Sequence, residues 1–325
     1  MKIFFYCMRT FDELPMAEQL SRETGIELGW TSEYPSMKNI GLAQGSDVVS
    51  TTPCPVSGEM LEAFQRMGVR GYVTHSIGFD HVDLETARRI GMPVSNVAYP
   101  PEGVANYAIM LMLMCLRRMP YILKCTELQD YTLRSKIGVD ISSCTVGVIG
   151  TGHIGSTVLR HLSGFGCRLL HYDIRQRDDL PGEAVSLEKL FRQSDIITLH
   201  APATAENHHM INADTIGLMK PDVCIVNTAR GGLIDTAALI EGLRSGRIGS
   251  CALDVLEQET GLYYANRAYD VIDLPDMAQL RSFPNVILSP HTAFYTQTNV
   301  YHMLACNFHS AVCLRDGLED PQRIV

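Results

Sequence analysis

The sequence predicts an α/β protein of two doubly wound parallel-sheet domains, and three observations carry that prediction. Apolar runs of strand length alternate with amphipathic helical stretches along the whole chain. One run, 146–149, opens onto Gly150, Gly152 and Gly155 at G-x-G-x-x-G spacing, with an apolar-periodic helical segment (Val158, Leu159, Leu162, Phe165) behind it. That signature begins only after residue 145, so a second sheet has to occupy the N-terminal third, and a length of 325 residues accommodates two domains.

In chain order, strands are predicted at 3–8, 25–30, 47–51, 71–75 and 93–97, with helices at 11–24, 58–67 and 84–90 between them. A long apolar helix, 104–119, leads to the glycine signature. Beyond it come strands at 167–172, 196–200, 223–227, 250–254 and 286–289, helices at 187–193 and 236–245, and a closing helix at 298–315. The expected organisation is a Rossmann cofactor domain, 101–295, inserted into a flavodoxin-like substrate domain made of 1–100 plus 296–325. The chain then crosses between domains twice, near 100 and near 295. Ligands of such sheets bind at the carboxyl ends of strands, so a substrate is expected in a hinged cleft between the domains.

The composition excludes several classes. Apolar residues at 46% and charged residues at 19% describe a chain with ample core. A net charge of −9, without a dense Lys/Arg run, argues against a nucleic-acid partner. The longest uninterrupted apolar run, 108–116, is too short for a bilayer and ends at Arg117-Arg118, so no membrane partner is expected. Residues 1–8 are apolar, but Arg9, Asp12 and Glu13 follow with no small-residue cleavage site, which fits a first strand and a cytoplasmic protein. The 10 cysteines contain no C-x-x-C pair and read as small buried hydrophobes in a reducing compartment. His208-His209 has no third ligand at useful spacing, so no metal is expected.

The glycine signature has a physical reading. Gly150 permits the tight turn, Gly152 lets backbone approach a pyrophosphate, and Gly155 lets helix pack on strand. The N-terminus of the helix then offers free N–H groups and partial positive charge to phosphate. The next strand ends at Asp173, 18 residues past Gly155, where a carboxylate takes the adenosine ribose hydroxyls and repels a 2′-phosphate. The cofactor expected is NAD.

Three later strand ends carry polar groups. Asn227-Thr228-Ala229-Arg230 follows one strand, Asp254 to Glu259 another, and Ser289-Pro290-His291-Thr292-Ala293-Phe294 a third. Hydride delivery to a 2-oxo acid needs a cation for the carboxylate, a proton donor for the carbonyl oxygen, and a group that keeps the donor protonated. Arg230 offers a bidentate fork, His291 the acid, and Glu259 a carboxylate to orient it. Spacing alone leaves open a surface arginine, a solvated glutamate and a capping histidine.

Here the chain resembles the NAD-dependent D-2-hydroxyacid dehydrogenases, above all their D-lactate dehydrogenase branch, which includes the enzymes of vancomycin-resistance clusters. The matching stretches are S-I-G-F-D-H-V-D (76–83), N-V-A-Y-P-P-E-G-V-A (96–105), V-G-V-I-G-T-G-H-I-G (146–155), N-T-A-R-G-G-L-I-D-T (227–236), A-L-D-V-L-E (252–257) and P-N-V-I-L-S-P-H-T-A-F-Y-T (284–296). The long segment between Glu259 and His291 and the H-T-A-F-Y-T ending are similar to the lactate branch rather than the glycerate and phosphoglycerate branches. The resemblance implies that Arg230 binds the substrate carboxylate, His291 is the acid/base and Glu259 its partner. It implies that Ile77 and Gly78 offer backbone N–H groups to the substrate, and that Tyr99 and Phe294 flank it. His153, Ile154, Asp173, Ala201, Pro202, Asn207, Thr228, Ala229, Arg230 and Asp254 fall on the family's cofactor positions beside the glycines, with Asp254 near the nicotinamide amide. The family's usual homodimer, built through the cofactor domain, is the expected assembly.

The expected activity is NADH-dependent reduction of a 2-oxo acid, pyruvate to D-lactate first. The same chemistry on a larger acid such as 2-oxoisocaproate or phenylpyruvate is the alternative, and a non-catalytic NAD-sensing regulator of this fold is another. The chain lacks the basic or low-complexity tails that a regulatory scaffold would carry. Three departures from the family pattern stand out. His75 replaces an arginine, Asn106 replaces a glutamate, and Ser50-Thr51-Thr52 places small side chains where lactate enzymes carry bulk, which leaves room for a wider substrate.

Overall fold

The computed structural model describes all residues except Gln176 and Thr260. The chain divides into two compact units, Met1–Pro100 with Tyr295–Val325, and Pro101–Phe294. Tyr295 goes with the first unit, where its hydroxyl donates to Asp12 at 2.6 Å.

The first unit opens with β1 (Lys2–Phe5), α1 (Glu13–Thr24), β2 (Glu27–Trp30), β3 (Val48–Thr51), α2 (Gly58–Arg66), β4 (Gly71–Thr74), α3 (Leu84–Ile90) and β5 (Val94–Ser95). Its sheet has the order β2-β1-β3-β4-β5, every pair parallel. The second strand starts two residues later than its apolar run suggests, because Gly25 caps α1 in the left-handed region at φ 68.

The second unit runs α4 (Glu102–Leu116), α5 (Met119–Glu127), β6 (Thr145–Ile149), α6 (His153–Leu162), β7 (Arg168–Tyr172), β8 (Glu183–Ala184), α7 (Leu187–Gln193), β9 (Ile196–Leu199), α8 (Ala213–Leu218), β10 (Val223–Asn227), α9 (Thr236–Arg244), β11 (Ile248–Leu253), α10 (Pro275–Ser282) and β12 (Val286–Leu288). The final helix, α11 (Gln297–Asp316), returns to the first unit. The seven-stranded parallel sheet has the order β12-β11-β10-β9-β6-β7-β8, the doubly wound pattern whose strand order reverses between β6 and β9.

Both faces of each sheet are covered, as parallel sheets require. In the second unit Val146, Val148, Cys224 and Val226 pack with α4 and α6 residues, while Ile149, Ile197, Ile225 and Leu253 pack with residues of α7 to α10. In the first unit Phe4, Val49, Tyr72 and Val94 face α2 and α3, and Ile3, Phe5, Val48 and Val73 face α1 and α11.

The predicted helix 104–119 is two helices. The first ends at Leu116, Arg118 adopts φ 51, and the second starts at Met119 with Pro120 in its first turn. Three short elements carry too little periodicity to be read from sequence: α8, held by an Asn212–Thr215 capping box, α10, and the two-residue edge strand β8. Among the described residues no helix is long and apolar enough to cross a membrane, and all 10 cysteines are free thiols.

Candidate active site

Gly150 has φ 89, and a Cβ there would meet the backbone of His200 and Ala201 at 2.7 Å, so the turn closes only on glycine. A Cβ on Gly155 would be driven into the Gly150 carbonyl oxygen. These two glycines let β6, α6 and the end of β9 approach. Gly152 differs: nothing lies within 4 Å of the place its Cβ would take, and it caps α6 without a side chain. The N–H groups of the first turn, starting with His153 and Ile154, border this open space.

Around that opening stand the other cofactor candidates. Asp173, just past β7, accepts from the Thr151 amide at 2.6 Å and the Arg175 amide at 2.9 Å. Burial pushes its carboxyl up, but those bonds and the Thr151 hydroxyl more than offset it, so it is held below the usual carboxylate range. Ala201 and Pro202 follow β9, and Asn207 closes their loop by accepting from Thr204 N at 2.8 Å and donating to Pro202 O at 2.7 Å. Past β10, Asn227 accepts from Ala229 N at 3.0 Å and donates to Arg230 O at 2.8 Å. The buried Thr228 hydroxyl has no hydrogen-bond partner among the described residues. An open glycine turn, a helix start, a carboxylate past the second strand and an unsatisfied hydroxyl fit NAD.

The catalytic candidates are drawn together by strand ends. His291 Nδ1 lies 2.7 Å from Glu259 Oε1, and Glu259 Oε2 accepts from Leu256 N at 2.9 Å. His291 sits at φ 53, unusual for a residue with a side chain. The fully buried Asp254 organises the turn around it. Its carbonyl accepts from His291 N at 2.7 Å, and its carboxylate accepts from Ser289 Oγ at 2.5 Å, Thr292 N at 2.9 Å and Ala293 N at 2.9 Å. Asp254 N in turn donates to Asn227 O at 2.9 Å, so the ends of β10, β11 and β12 are linked. This bracketing work of Asp254 is invisible in sequence, where it reads only as a cofactor position.

Aromatic rings enclose the histidine. Phe294 meets it edge-on at 6.2 Å between centroids, and Tyr264 lies at 6.4 Å with its hydroxyl donating to His291 O at 2.9 Å. The Tyr264 contact has no sequence signal beyond its place in the long segment. Arg230 stands at the end of β10, its Nη1 donating to Ala229 O at 2.8 Å. A Cβ on the following Gly231 would collide with the backbone at Leu256, so the Arg230 loop rests directly on the loop that carries Glu259.

In the first unit, Ile77 and Gly78 follow β4. Ser76 Oγ donates to Gly78 O at 2.6 Å and Asn96 to Ile77 O at 2.8 Å, while the Ile77 and Gly78 amides make no hydrogen bond among the described residues. Tyr99 is half-buried. The small residues of β3 divide differently from their sequence reading. Ser50 is bonded to Asn307 at 2.5 Å and Thr51 to Tyr72 at 2.6 Å, both fully buried, so neither widens a pocket. Thr52 alone of the three is partly exposed.

His75 belongs to a buried network in the same unit. Its Nδ1 accepts from Asn307 at 2.8 Å, and its Nε2 lies 3.2 Å from Glu13, which Arg9 also approaches at 2.6 Å. Burial pushes the Glu13 carboxyl up, but the hydrogen bond from His75 and the charges of His75 and Arg9 bring it below its ordinary 4.5. A depressed carboxyl contributes stability that is present above the ordinary value and lost as pH falls through the depressed one. Thermal melts between pH 7 and 3 are expected to show a steeper acid loss for the native chain than for Glu13→Gln; equal slopes would remove Glu13 from the account. Asn106, the other departure, bonds His161 Nδ1 at 2.9 Å and ties α4 to α6.

One reading needs correction. His208-His209 lacks a third ligand only in sequence spacing; the fold brings Glu257 to it, with His209 Nε2 2.6 Å from Glu257 Oε1.

The fold and the cradle define an NAD-dependent dehydrogenase. Comparison with known proteins gives the family. The model for the NAD-binding domain of D-isomer-specific 2-hydroxyacid dehydrogenases matches residues 109–293. A D-specific α-keto acid dehydrogenase of Enterococcus faecalis is 41% identical over 287 residues, 88% of each chain. An aromatic 2-oxoacid reductase of Clostridium sporogenes is 39% identical over 311 residues, 94% of this chain and 93% of that one. The structure of a D-lactate dehydrogenase from Escherichia coli superposes with a TM-score of 0.86 at 32% identity, covering 100% of both chains. The chain belongs to the D-isomer-specific 2-hydroxyacid dehydrogenase family, enzymes that interconvert 2-oxo and D-2-hydroxy acids with NAD.

Proposed function

We propose that the enzyme reduces pyruvate to D-lactate and accepts larger 2-oxo acids, with His291 as the proton donor. The observation that carries the roles is the 2.7 Å contact between His291 Nδ1 and Glu259. A carboxylate is an acceptor, so Nδ1 carries a proton toward it and Nε2 is left for exchange with substrate. Glu259 accepts from Nδ1 and fixes the plane of the ring. In the second unit Arg230 is assigned to the substrate carboxylate and Phe294 to the substrate side chain; in the first unit Ile77, Gly78 and Tyr99 are assigned to substrate binding. NADH, when bound, supplies the hydride to the 2-carbon. The proton from His291 Nε2 goes to the carbonyl oxygen, which becomes the hydroxyl. His153, Ile154, Asp173, Ala201, Pro202, Asn207, Thr228, Ala229 and Asp254 are assigned to the cofactor; the family resemblance supports a homodimer, and the free thiols suit a reducing, cytoplasmic compartment. Loss of NADH absorbance with pyruvate, and chiral analysis of the product, test the reading; no turnover with pyruvate would leave a larger 2-oxo acid as substrate, and none with any 2-oxo acid an NAD-sensing regulator.

Asp173 is expected to set cofactor choice. Its carboxylate and the 2′-phosphate of NADPH are like charges a few ångströms apart, a penalty of at least about 1–2 kcal/mol, or roughly tenfold in affinity. Preference for NADH should relax in Asp173→Ala, whereas equal kcat/KM for both cofactors in the native chain would remove Asp173 from that role.

Larger acids are favoured by the similarity to an aromatic 2-oxoacid reductase and by the small, partly exposed Thr52. Each additional buried methylene contributes about 0.8 kcal/mol, enough for a branched or aromatic acid to offset a better fit of pyruvate elsewhere. Thr52→Tyr is expected to reduce kcat/KM on phenylpyruvate more than on pyruvate. An equal fall on both would show that position 52 does not wall the pocket.

A further inference from the structure

We propose that His208, His209 and Glu257 form a binding site for a late first-row divalent cation, with zinc the best fit. One potential ligand atom from each lies within 4.8 Å of the others. The cluster is assembled by the fold. His209 takes φ 52, which turns the chain so that two adjacent imidazoles stack at 3.8 Å with 24° between planes. His209 N donates to Gly232 O at 2.8 Å, and His208 lies over the Gly232 Cα, where a Cβ would meet its Nδ1 at 3.4 Å. Glu257 arrives from the segment after β11.

The ligand set and its support suit such an ion. Two imidazoles and one carboxylate are the donors that zinc, nickel, cobalt and copper take, and a single protein carboxylate is too little oxygen for calcium or magnesium. Glu257 Oε2 is held by the Thr236 hydroxyl at 2.7 Å and the Thr236 amide at 3.3 Å, the outer support that orients a ligating carboxylate. With metal–ligand bonds of about 2.0–2.2 Å, tetrahedral ligand atoms stand roughly 3.3–3.5 Å apart. Binding therefore opens the 2.6 Å His209–Glu257 contact, replacing its shared proton by the cation, and turns the exposed His208 out of its stack. Water completes the fourth position.

The test uses the full-length, chelator-stripped protein. Zinc is titrated in competition with a chromogenic chelator, and the melting temperature is read with and without zinc. The expected result is one equivalent bound, a zinc-dependent rise in Tm, and a cobalt spectrum with d–d bands but no thiolate charge transfer. His208→Ala, at an exposed position, should weaken binding at least tenfold and abolish the Tm rise. Glu257→Gln, which keeps a hydrogen-bonding side chain but loses the charge, should do the same. Unchanged affinity in both variants, no bound equivalent, or a thiolate band from the cysteines would each overturn the site.

Discussion

Replacing His291 with alanine is expected to lower kcat for 2-oxo acid reduction by about 10²–10⁴, the usual contribution of a positioned general acid, while NADH binding survives. The separation follows from the geometry. His291 hangs from the end of β12 through Asp254 and Glu259, whereas the phosphate cradle belongs to the β6–α6 turn. Cofactor binding, followed by nicotinamide fluorescence, should therefore change little. Glu259→Gln is the finer probe. It preserves a side chain that can accept from Nδ1 but withdraws the negative charge that faces it. With a charge-assisted bond replaced by a neutral one, kcat should fall about tenfold while NADH affinity is kept, and an unchanged kcat would show that Glu259 does not orient His291.

Arg230→Ala is the second large effect. Two charge-assisted hydrogen bonds to a carboxylate contribute about 1.5–3 kcal/mol each, so kcat/KM should fall by about 10²–10⁴. Arg230→Lys restores the charge without the planar fork and should recover only part of the loss. Because Gly231 packs on the backbone at Leu256, the truncated side chain leaves its loop anchored, and NADH affinity should fall far less than substrate affinity. A parallel collapse of both would mean that Arg230 holds the loop rather than the substrate.

The sequence by itself determined the layered fold, because strand and helix leave short-range periodicities that no distant contact has to supply. The doubly wound order was legible in the same way: a strand, three glycines at fixed spacing, a helix and an acid past the next strand form one local unit. His291, Glu259 and Arg230 could be named as candidates because polar groups at three strand ends break an apolar pattern. Resemblance to a family, not spacing, made Glu259 the partner of His291, and the contact itself, across 32 positions, exists only in the tertiary structure. The same limit explains what sequence reading missed or misplaced. Asp254 gathers three donors from the turn after β12, and a single aspartate announces none of them. Thr51 reads as pocket space but is consumed by Tyr72, and Ser50 by Asn307, 257 positions away. Glu257 joins His209 across 48 positions. Local pattern specifies elements because it is written in neighbouring residues; side-chain partnerships depend on which strand ends the topology brings side by side, and that is decided only when the sheet closes.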